Sequence, residues 1–347
     1  MTTPRKPFRL RSKLVALGLV LLGAGLGQVA SGCRPGVSVP SLALPPQPRR
    51  PELPLISLLA PEAAPVVPLV ATLRSELAAD FDLQVIPLRH DMSSVELQQA
   101  LDSQRPSAIV LVDNSAVQLY APLAKAARQP LPALIVMSSF VERLQRGVPN
   151  SIAIAFETPA VTTLSEVRSI LARPISRAGV IYREGFERFV SRERDLAQRE
   201  KIELVALPVP IEPSVASLGR ALRHLEREHL DAMWLSNDNV LLSQKLLSNT
   251  WVPFAKRTAL PIVVGVPALV AGSVPFGTYA AVPDTVGLGV QTADLIYALQ
   301  KANWRLQGPP VQPPVAVKTY LNVALARELG APPENEKRVD VLLGGAP

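Results

Sequence analysis

"RAGVIYREGFERFVSRERDLAQREKIELVALPV", residues 177–209, contains two apolar runs on either side of a highly charged stretch. The first run (177–182) and the last (202–209) are typical of buried strands, because their apolar residues follow one another without strict alternation. The middle stretch (184–200) places apolar residues at helical spacing against a charged face. A strand, a helix and a second strand in this order predict a parallel β-α-β unit.

The same alternation extends in both directions along the chain. Further strands are predicted at residues 54–60, 83–88, 107–113, 132–137, 151–156, 231–236, 260–266, 277–282 and 315–321. Helices are predicted around residues 65–79, 93–103, 115–127, 139–146, 213–228, 239–256, 284–304 and 323–330. Two blocks of similar length meet near 157–175, which predicts two doubly wound, Rossmann-like α/β lobes with parallel sheets, joined by hinge strands.

The blocks also set the expected domain boundaries. The first lobe is expected over residues 54–157, joined by part of 283–304. The second is expected over 158–282, joined by about 313–333, and a C-terminal tail follows at 334–347. Open α/β sheets bind ligands outside the carboxyl ends of their strands, so a site is expected in the cleft between the lobes. Hinges are expected near 157–160 and 282–284.

The beginning of the chain has the pattern of a secretory signal peptide. Five basic residues and no acid occur in residues 1–13, an uncharged and mostly apolar run occupies 14–27, and small residues precede Cys33. We therefore predict a signal peptide over residues 1–32. A permanent anchor helix is the alternative, although the apolar run is shorter than the ~20 residues that a membrane-spanning helix needs.

Cys33 is the only cysteine in the sequence, so it has no partner for a disulfide within the chain. Ala30, Ser31 and Gly32 before it resemble the lipobox of bacterial lipoproteins. This resemblance implies that Cys33 is lipidated and anchors the protein to a membrane, whereas ordinary signal cleavage nearby would leave an incidental thiol. Residues 33–53 are rich in proline and predict an extended, semi-rigid tether.

The charge of the chain excludes one class of partner. The formal net charge of +7 falls to +2 without residues 1–32, because that segment holds five basic residues and no acid. The remainder has no stripe of lysine and arginine with interleaved aromatic residues, so binding to nucleic acid is not expected. With 48% hydrophobic residues, the chain is expected to fold around a well-buried core.

Three segments in the C-terminal part carry a family resemblance. They are "DAMWLSNDNVLLSQ" (231–244), "GTYAAVPDTVGLGVQTADL" (277–295) and "VAVKTYLNVALARELGAPP" (315–333). Together they resemble the substrate-binding proteins of ABC transporters, in the family of tryptophan- and tyrosine-type receptors. The resemblance implies the type I periplasmic binding fold, a small-molecule ligand that is amino-acid-like, an ABC permease as partner, and a periplasmic or other extracytoplasmic location.

Nine residues are candidates for ligand binding. Asp238 would accept hydrogen bonds from a ligand's ammonium group, and Asn239 could donate or accept beside it. Four further polar candidates (Asn114, Ser115, Ser138 and Ser139) precede helices whose free amide groups favour a carboxylate. Aromatic side chains near the cleft, among them Phe140, would stack on the ligand, although packing in the core is their usual role. Capping of a helix is the plain alternative for the polar residues. The candidates are Asp238, Asn239, Asn114, Ser115, Ser138, Ser139, Tyr182, Phe186 and Asp284.

No motif in the sequence indicates a catalytic site, a metal site or a cofactor site, so we expect a protein that is not an enzyme. The chain has neither a nucleophile elbow nor a phosphate-binding loop, and its histidines (His90, His224 and His229) lack the spacing of a helical metal pair. The sequence thus favours a membrane-tethered solute receptor that delivers its ligand to a transporter. The alternatives are a sensor or accessory lipoprotein that binds a protein partner, and a structural lipoprotein whose cleft binds nothing.

Overall fold

The structure is a computed structural model that describes residues 48–271 and 275–344. The predicted signal peptide, Cys33 and the tether as far as residue 47 lie outside the described residues. The last residues of the predicted tether lie against the first lobe. There the Arg50 guanidinium donates a hydrogen bond of 2.6 Å to the carbonyl oxygen of Ala78, and its backbone amide donates one of 3.1 Å to Asp82.

The described residues alternate between strands and helices, as the sequence predicts. The strands are β1 (Leu55–Pro61), β2 (Asp82–Leu88), β3 (Ala108–Val112), β4 (Ala133–Val136), β5 (Ser151–Ile154), β6 (Arg177–Arg183), β7 (Glu203–Val209), β8 (Ala232–Leu235), β9 (Ile262–Val264), β10 (Tyr279–Pro283), β11 (Val311–Gln312), β12 (Val317–Asn322) and β13 (Val341–Leu343). The helices are α1 (Val67–Leu77), α2 (Ser94–Gln104), α3 (Asp113–Ala126), α4 (Val141–Gln145), α5 (Ala160–Leu171), α6 (Glu187–Arg199), α7 (Val215–Leu225), α8 (Gln244–Leu246), α9 (Val252–Arg257), α10 (Ala268–Ala271), α11 (Thr285–Lys301) and α12 (Val323–Glu328).

The strands form two sheets, one in each lobe. The first lobe has the strand order β11-β5-β4-β3-β1-β2, and all of its neighbours are parallel. The second has the order β13-β12-β10-β9-β8-β6-β7 and is parallel except where β12 pairs antiparallel with β10. Two doubly wound α/β lobes with parallel-dominated sheets confirm the predicted fold class.

Helices cover both faces of each sheet, which explains the continuous apolar strands. All five residues of β3 are buried, as are all four of β4. In the first lobe, α1 and α11 cover one face, and α2, α3 and α4 cover the other. In the second lobe, α5, α6 and α12 lie on one face, and α7, α8 and α9 on the other. A strand buried on both faces needs apolar residues at every position.

Three segments of the chain cross between the lobes. They join β5 to α5, β10 to α11 and β11 to β12. The first two coincide with the hinges expected near 157–160 and 282–284, and the Thr158 hydroxyl links them by donating to the carbonyl oxygen of Ala281 at 3.1 Å. The three crossings place the carboxyl ends of the strands of both sheets at the boundary between the lobes.

The third crossing is held to α11 by one side chain. The Gln291 amide donates to the carbonyl oxygen of Pro313 at 2.9 Å and accepts from the backbone amide of Val315 at 3.0 Å. These two bonds satisfy backbone groups in a segment that has no strand partner, and they tie its course to the first lobe.

Two predictions about elements need correction. The described part of the predicted tail, residues 334–344, is folded: Val341–Leu343 form β13, which pairs in parallel with β12, and a 3₁₀ segment (Pro333–Arg338) precedes it. The single helix predicted at 239–256 begins only at Gln244 and is divided by a π-helical turn (Leu247–Trp251). Pro253, at the start of α9, has no backbone amide to continue regular helical hydrogen bonding.

Candidate functional site

An aromatic cluster joins the two lobes, and we call it the interlobe aromatic cluster (Phe140, Phe186, Phe189 and Trp234). Phe140 follows β4 in the first lobe, and its ring centroid lies 4.4 Å from that of Phe186 and 5.1 Å from that of Phe189. Phe189 in turn stacks on Trp234 of β8 at 6.0 Å. Aromatic contacts at these distances stabilise the arrangement in which the two lobes lie together.

Charged groups bridge the lobes beside this cluster. Arg192 of α6 forms an ion pair with Glu142 of α4, and it also lies 3.1 Å from Glu193. The Glu193 carboxylate is buried and accepts a hydrogen bond of 2.8 Å from the backbone amide of Ala160, at the start of α5. Arg192 therefore joins α6 of the second lobe to α4 of the first, beside a buried carboxylate.

A cavity of about 540 Å³ opens next to the cluster, and both lobes contribute to its wall. Cavities of this size are typical of small-molecule sites. The first lobe contributes α4, the end of β5 and β11, and the second contributes the start of α6. Its lining residues are Phe140, Val141, Glu142, Arg143, Gln145, Arg146, Ala155, Glu157, Gly185, Phe186, Arg188, Phe189, Arg192, Pro310 and Val311.

Glu157 stands at the inner wall of this cavity, on the crossing from β5 to α5. Its carboxylate accepts a hydrogen bond from the backbone amide of Phe140. The pKa of the Glu157 carboxyl is raised from 4.5 to about 7, mainly by burial and also by the nearby charge of Glu193, while backbone hydrogen bonds, above all the one from Phe140, offset part of the effect. Part of the Glu157 side chain still reaches solvent, but the carboxyl group is enclosed enough to hold a proton near neutral pH.

Asp238, the predicted acceptor of a ligand's ammonium group, is occupied by the protein itself. It is 2% exposed, and its Oδ2 accepts from Arg183 Nε at 2.7 Å. Its Oδ1 accepts from the backbone amides of Val240 at 2.9 Å and Leu241 at 3.3 Å. Both carboxylate oxygens thus have internal partners, as in a buried structural ion pair that also starts a turn.

The other polar candidates end up in different surroundings. Asn239 and Ser115 are exposed, Asn114 is half-buried, and Ser138 and Ser139 are buried. The Ser138 hydroxyl makes a long bond of 3.4 Å to the carbonyl oxygen of Val136. None of these five residues lines the cavity described above.

The remaining three candidates lie in three different parts of the fold. Phe186 lies in the interlobe aromatic cluster and lines the cavity. Tyr182 is half-buried and packs against the apolar core of the second lobe. Asp284 caps α11, because its carboxylate accepts a hydrogen bond of 2.8 Å from the backbone amide of Gly287. The structure therefore brings one of the nine candidates, Phe186, to the cavity.

Sequence reasoning missed four residues that shape this site, namely Glu157, Arg143, Arg192 and Phe189. Glu157 could have been found by the rule that nominated Asn114, since it follows shortly after a buried strand. Arg143, Arg192 and Phe189 lie on helices, where charged and aromatic residues are common, so their positions carry no signal without the packing of α4 against α6.

Among the residues that the structure describes, no group of three or more histidine, cysteine, aspartate or glutamate side chains is placed to hold a metal ion. His224 lies 3.4 Å from Glu228 on the surface. No helix in residues 48–271 or 275–344 is long and apolar enough to cross a membrane.

Solved structures with the same arrangement of two lobes identify the fold. A substrate-binding protein with adhesive properties from Clostridium difficile, in a ligand-free open state, matches with a TM-score of 0.63 at 14% identity, covering 84% of this chain and 100% of that one. A domain from Streptococcus pneumonia in complex with L-Trp matches with a TM-score of 0.55 at 17% identity, covering 83% and 100%. This chain has the type I periplasmic binding fold.

A third structure with this fold is a solute-binding protein of an ABC transporter from Rhodopseudomonas palustris, in complex with 3,4-dihydroxybenzoic acid. It has a TM-score of 0.50 at 10% identity and covers 73% of this chain and 82% of that one. No protein-family model matches the chain, and a search of curated proteins finds no match. At these identities the likeness is one of fold.

Proposed function

We propose that the protein binds a small solute in the cavity between its lobes, without catalysing a reaction. One observation carries this proposal: a cavity of about 540 Å³ whose wall is built by both lobes and contains aromatic and charged side chains side by side. In the type I periplasmic binding fold, a ligand held by both lobes favours the closed arrangement over the open one. Solved proteins with this fold include a substrate-binding protein and a solute-binding protein of an ABC transporter.

The contacts at the cavity indicate how a solute would couple to closure. Phe140 and α4 belong to the first lobe, while Phe186, Phe189 and α6 belong to the second. A solute that touches both sets gains contacts only when the lobes are together, and this difference in contacts is what shifts the equilibrium. The crossing that contains Glu157 lies directly against the cavity, so its backbone is placed to respond to occupancy.

We further propose that the solute is delivered to an ABC permease and that Cys33 carries the lipid that holds the protein at an extracytoplasmic membrane surface. The sequence pattern before Cys33 supports the anchor, and the likeness in fold to a solute-binding protein of an ABC transporter supports the partner. Expression of the chain in bacteria fed labelled palmitate tests the anchor. Label is expected in the wild type and absent in Cys33→Ser, and equal labelling of both would refute lipidation at this residue.

The amino-acid specificity expected from the sequence remains a prediction. Asp238 is tied to Arg183, and the two acidic residues that line the cavity are Glu142, which pairs with Arg192, and Glu157, whose environment favours the protonated form.

The direct test is the melting temperature of the full-length chain against amino acids, organic acids, sugars and nucleosides. A solute present at 100 times its dissociation constant adds about 2.7 kcal/mol, which raises the melting temperature of a chain of this size by about 4 °C. Phe140→Leu should reduce this shift, because it removes a ring from the cavity wall. Phe254→Leu is the matched control: Phe254 is fully buried in the second lobe away from the cavity, so the melting temperature falls but the shift persists.

A panel without any shift would contradict solute binding and favour the second candidate, a sensor or accessory lipoprotein that binds a protein partner. One observation supports that alternative: the lobes are already bridged by the Arg192–Glu142 ion pair and by the interlobe aromatic cluster, with Asp238 internally paired. A molecule that closes on its own side chains needs no solute to present a closed surface.

A further inference from the structure

The residues that line the interlobe cavity carry more positive than negative charge. Four guanidinium groups line it (Arg143, Arg146, Arg188 and Arg192), against the carboxyl groups of Glu142 and Glu157. The excess is positive even when both carboxyl groups are ionised.

The pairing of these groups increases the excess further. Glu142 and the buried Glu193 both compensate Arg192. Glu157 already accepts the backbone amide of Phe140, and its environment favours the protonated form. Both carboxyl groups of the lining are therefore engaged within the protein or neutralised.

Three of the four guanidinium groups have no acidic partner in the part of the chain that the structure describes. Arg143 and Arg146 lie on α4 of the first lobe, and Arg188 lies on α6 of the second. None of the three forms an ion pair with a described residue, although Arg146 Nε donates to the carbonyl oxygen of Glu142 at 3.1 Å. Their remaining donors are free to bind an anion from both sides of the cavity.

Aromatic rings hold one of these groups in place. The Cζ atom of Arg143 lies 5.0 Å from the centroid of the Phe186 ring, within the range of a cation–π contact. The rings of Phe140, Phe186 and Phe189 supply apolar surface next to this guanidinium. An anionic group and a flat apolar body would thus find partners within one cavity.

We infer that the solute of this cavity is a net anion with an aromatic body, such as an aromatic carboxylate, with its charged group on Arg143 and Arg188 and its ring against the phenylalanines. The inference rests on the proposed function and names the class of solute. Guanidinium groups bind carboxylates through two parallel hydrogen bonds, which makes them selective for such anions. The Phe rings give the aromatic body an offset or edge contact.

The test is isothermal titration calorimetry of the full-length chain with four probes: phenylacetate, phenylacetamide, L-phenylalanine and acetate. Phenylacetate is expected to bind at least about tenfold more tightly than each of the others, since a charge-assisted hydrogen bond accounts for about one order of magnitude or more in affinity. Arg143→Gln and Arg188→Gln should each weaken phenylacetate by about tenfold. Both side chains are on exposed positions, so the variants are expected to fold.

Arg223→Gln is the matched control, because Arg223 is an exposed arginine on α7 that does not line the cavity. It should leave phenylacetate binding unchanged.

Equal binding of phenylacetamide, or equal affinity of wild type, Arg143→Gln and Arg188→Gln for phenylacetate, would overturn the anion inference while solute binding stands. Equal binding of acetate would overturn the aromatic part. If another solute of the melting panel binds and phenylacetate does not, the class is wrong and the proposed function survives; if nothing in either set binds, both fall.

Discussion

Glu157→Gln is expected to stabilise the protein at alkaline pH and to leave its stability unchanged in acid. Glutamine keeps a carbonyl oxygen that can accept the backbone amide of Phe140, but it carries no charge. The wild-type carboxyl is enclosed at the lobe boundary beside Glu193, and this environment raises its pKa to about 7. The variant removes the cost of ionising that group in the folded protein.

The size and sign of the effect follow from the two pKa values. Below about pH 4.5 the carboxyl is protonated in both the folded and the unfolded state, so Glu157 costs nothing. Between 4.5 and about 7 the folded state keeps a proton that the unfolded state has released, so the free energy of unfolding falls by up to about 1.4 kcal/mol per pH unit. Above about pH 7 the full cost is present, at most about 3 kcal/mol.

Urea denaturation of the full-length chain at about pH 5 and about pH 8.5 measures this directly. The variant should exceed the wild type by about 2–3 kcal/mol at the higher pH and by much less at the lower one. Glu187→Gln is a control of opposite sign, because hydrogen bonds from backbone amides lower the pKa of Glu187, and its loss should reduce stability at alkaline pH. Parallel profiles for Glu157→Gln and the wild type would refute the raised pKa.

Two further predictions concern stability alone. Arg183→Gln leaves Asp238 buried without its charged partner and should cost about 3–5 kcal/mol in urea denaturation. Arg89→Gln, which breaks an exposed ion pair, should cost less than about 1 kcal/mol. Equal losses would contradict a structural role for Asp238. Gly289→Ala would place a Cβ 2.7 Å from a threonine side chain of α1 and should cost about 1–3 kcal/mol. In Gly219→Ala the added Cβ has no neighbour closer than 3.5 Å, so this variant should stabilise the protein by about 0.5–1 kcal/mol. A loss of stability in Gly219→Ala would contradict the view that steric contact of the new Cβ decides the sign of these changes.

The fold is predictable from the sequence because burial on two faces leaves a local signature. A strand such as β3 must be apolar at each position, and a covering helix such as α6 must show apolar residues at helical spacing. Elements without that signature were missed or misplaced. β11 is two residues long between prolines, which an edge strand tolerates, and β13 is a three-residue edge strand that pairs with β12.

The site is less predictable because it depends on contacts between distant residues. Asp238 stands where a ligand acceptor is expected, yet Arg183, 55 positions earlier, occupies its carboxylate. Glu157 acquires its raised pKa from enclosure and from Glu193, which the sequence places 36 positions away. Phe186 was identified because it lies at the start of a predicted helix, which is a local signal.

The central claim is that a solute binds between the lobes and touches both of them. Hydrogen–deuterium exchange of the full-length chain, with and without the solute that raises the melting temperature most, tests it directly. We predict that exchange slows together in residues 140–146 of the first lobe and 185–192 of the second, which line the cavity, and stays the same in α7 (residues 215–225). Protection confined to one lobe, or found on α7 instead, would contradict binding in the interlobe cavity.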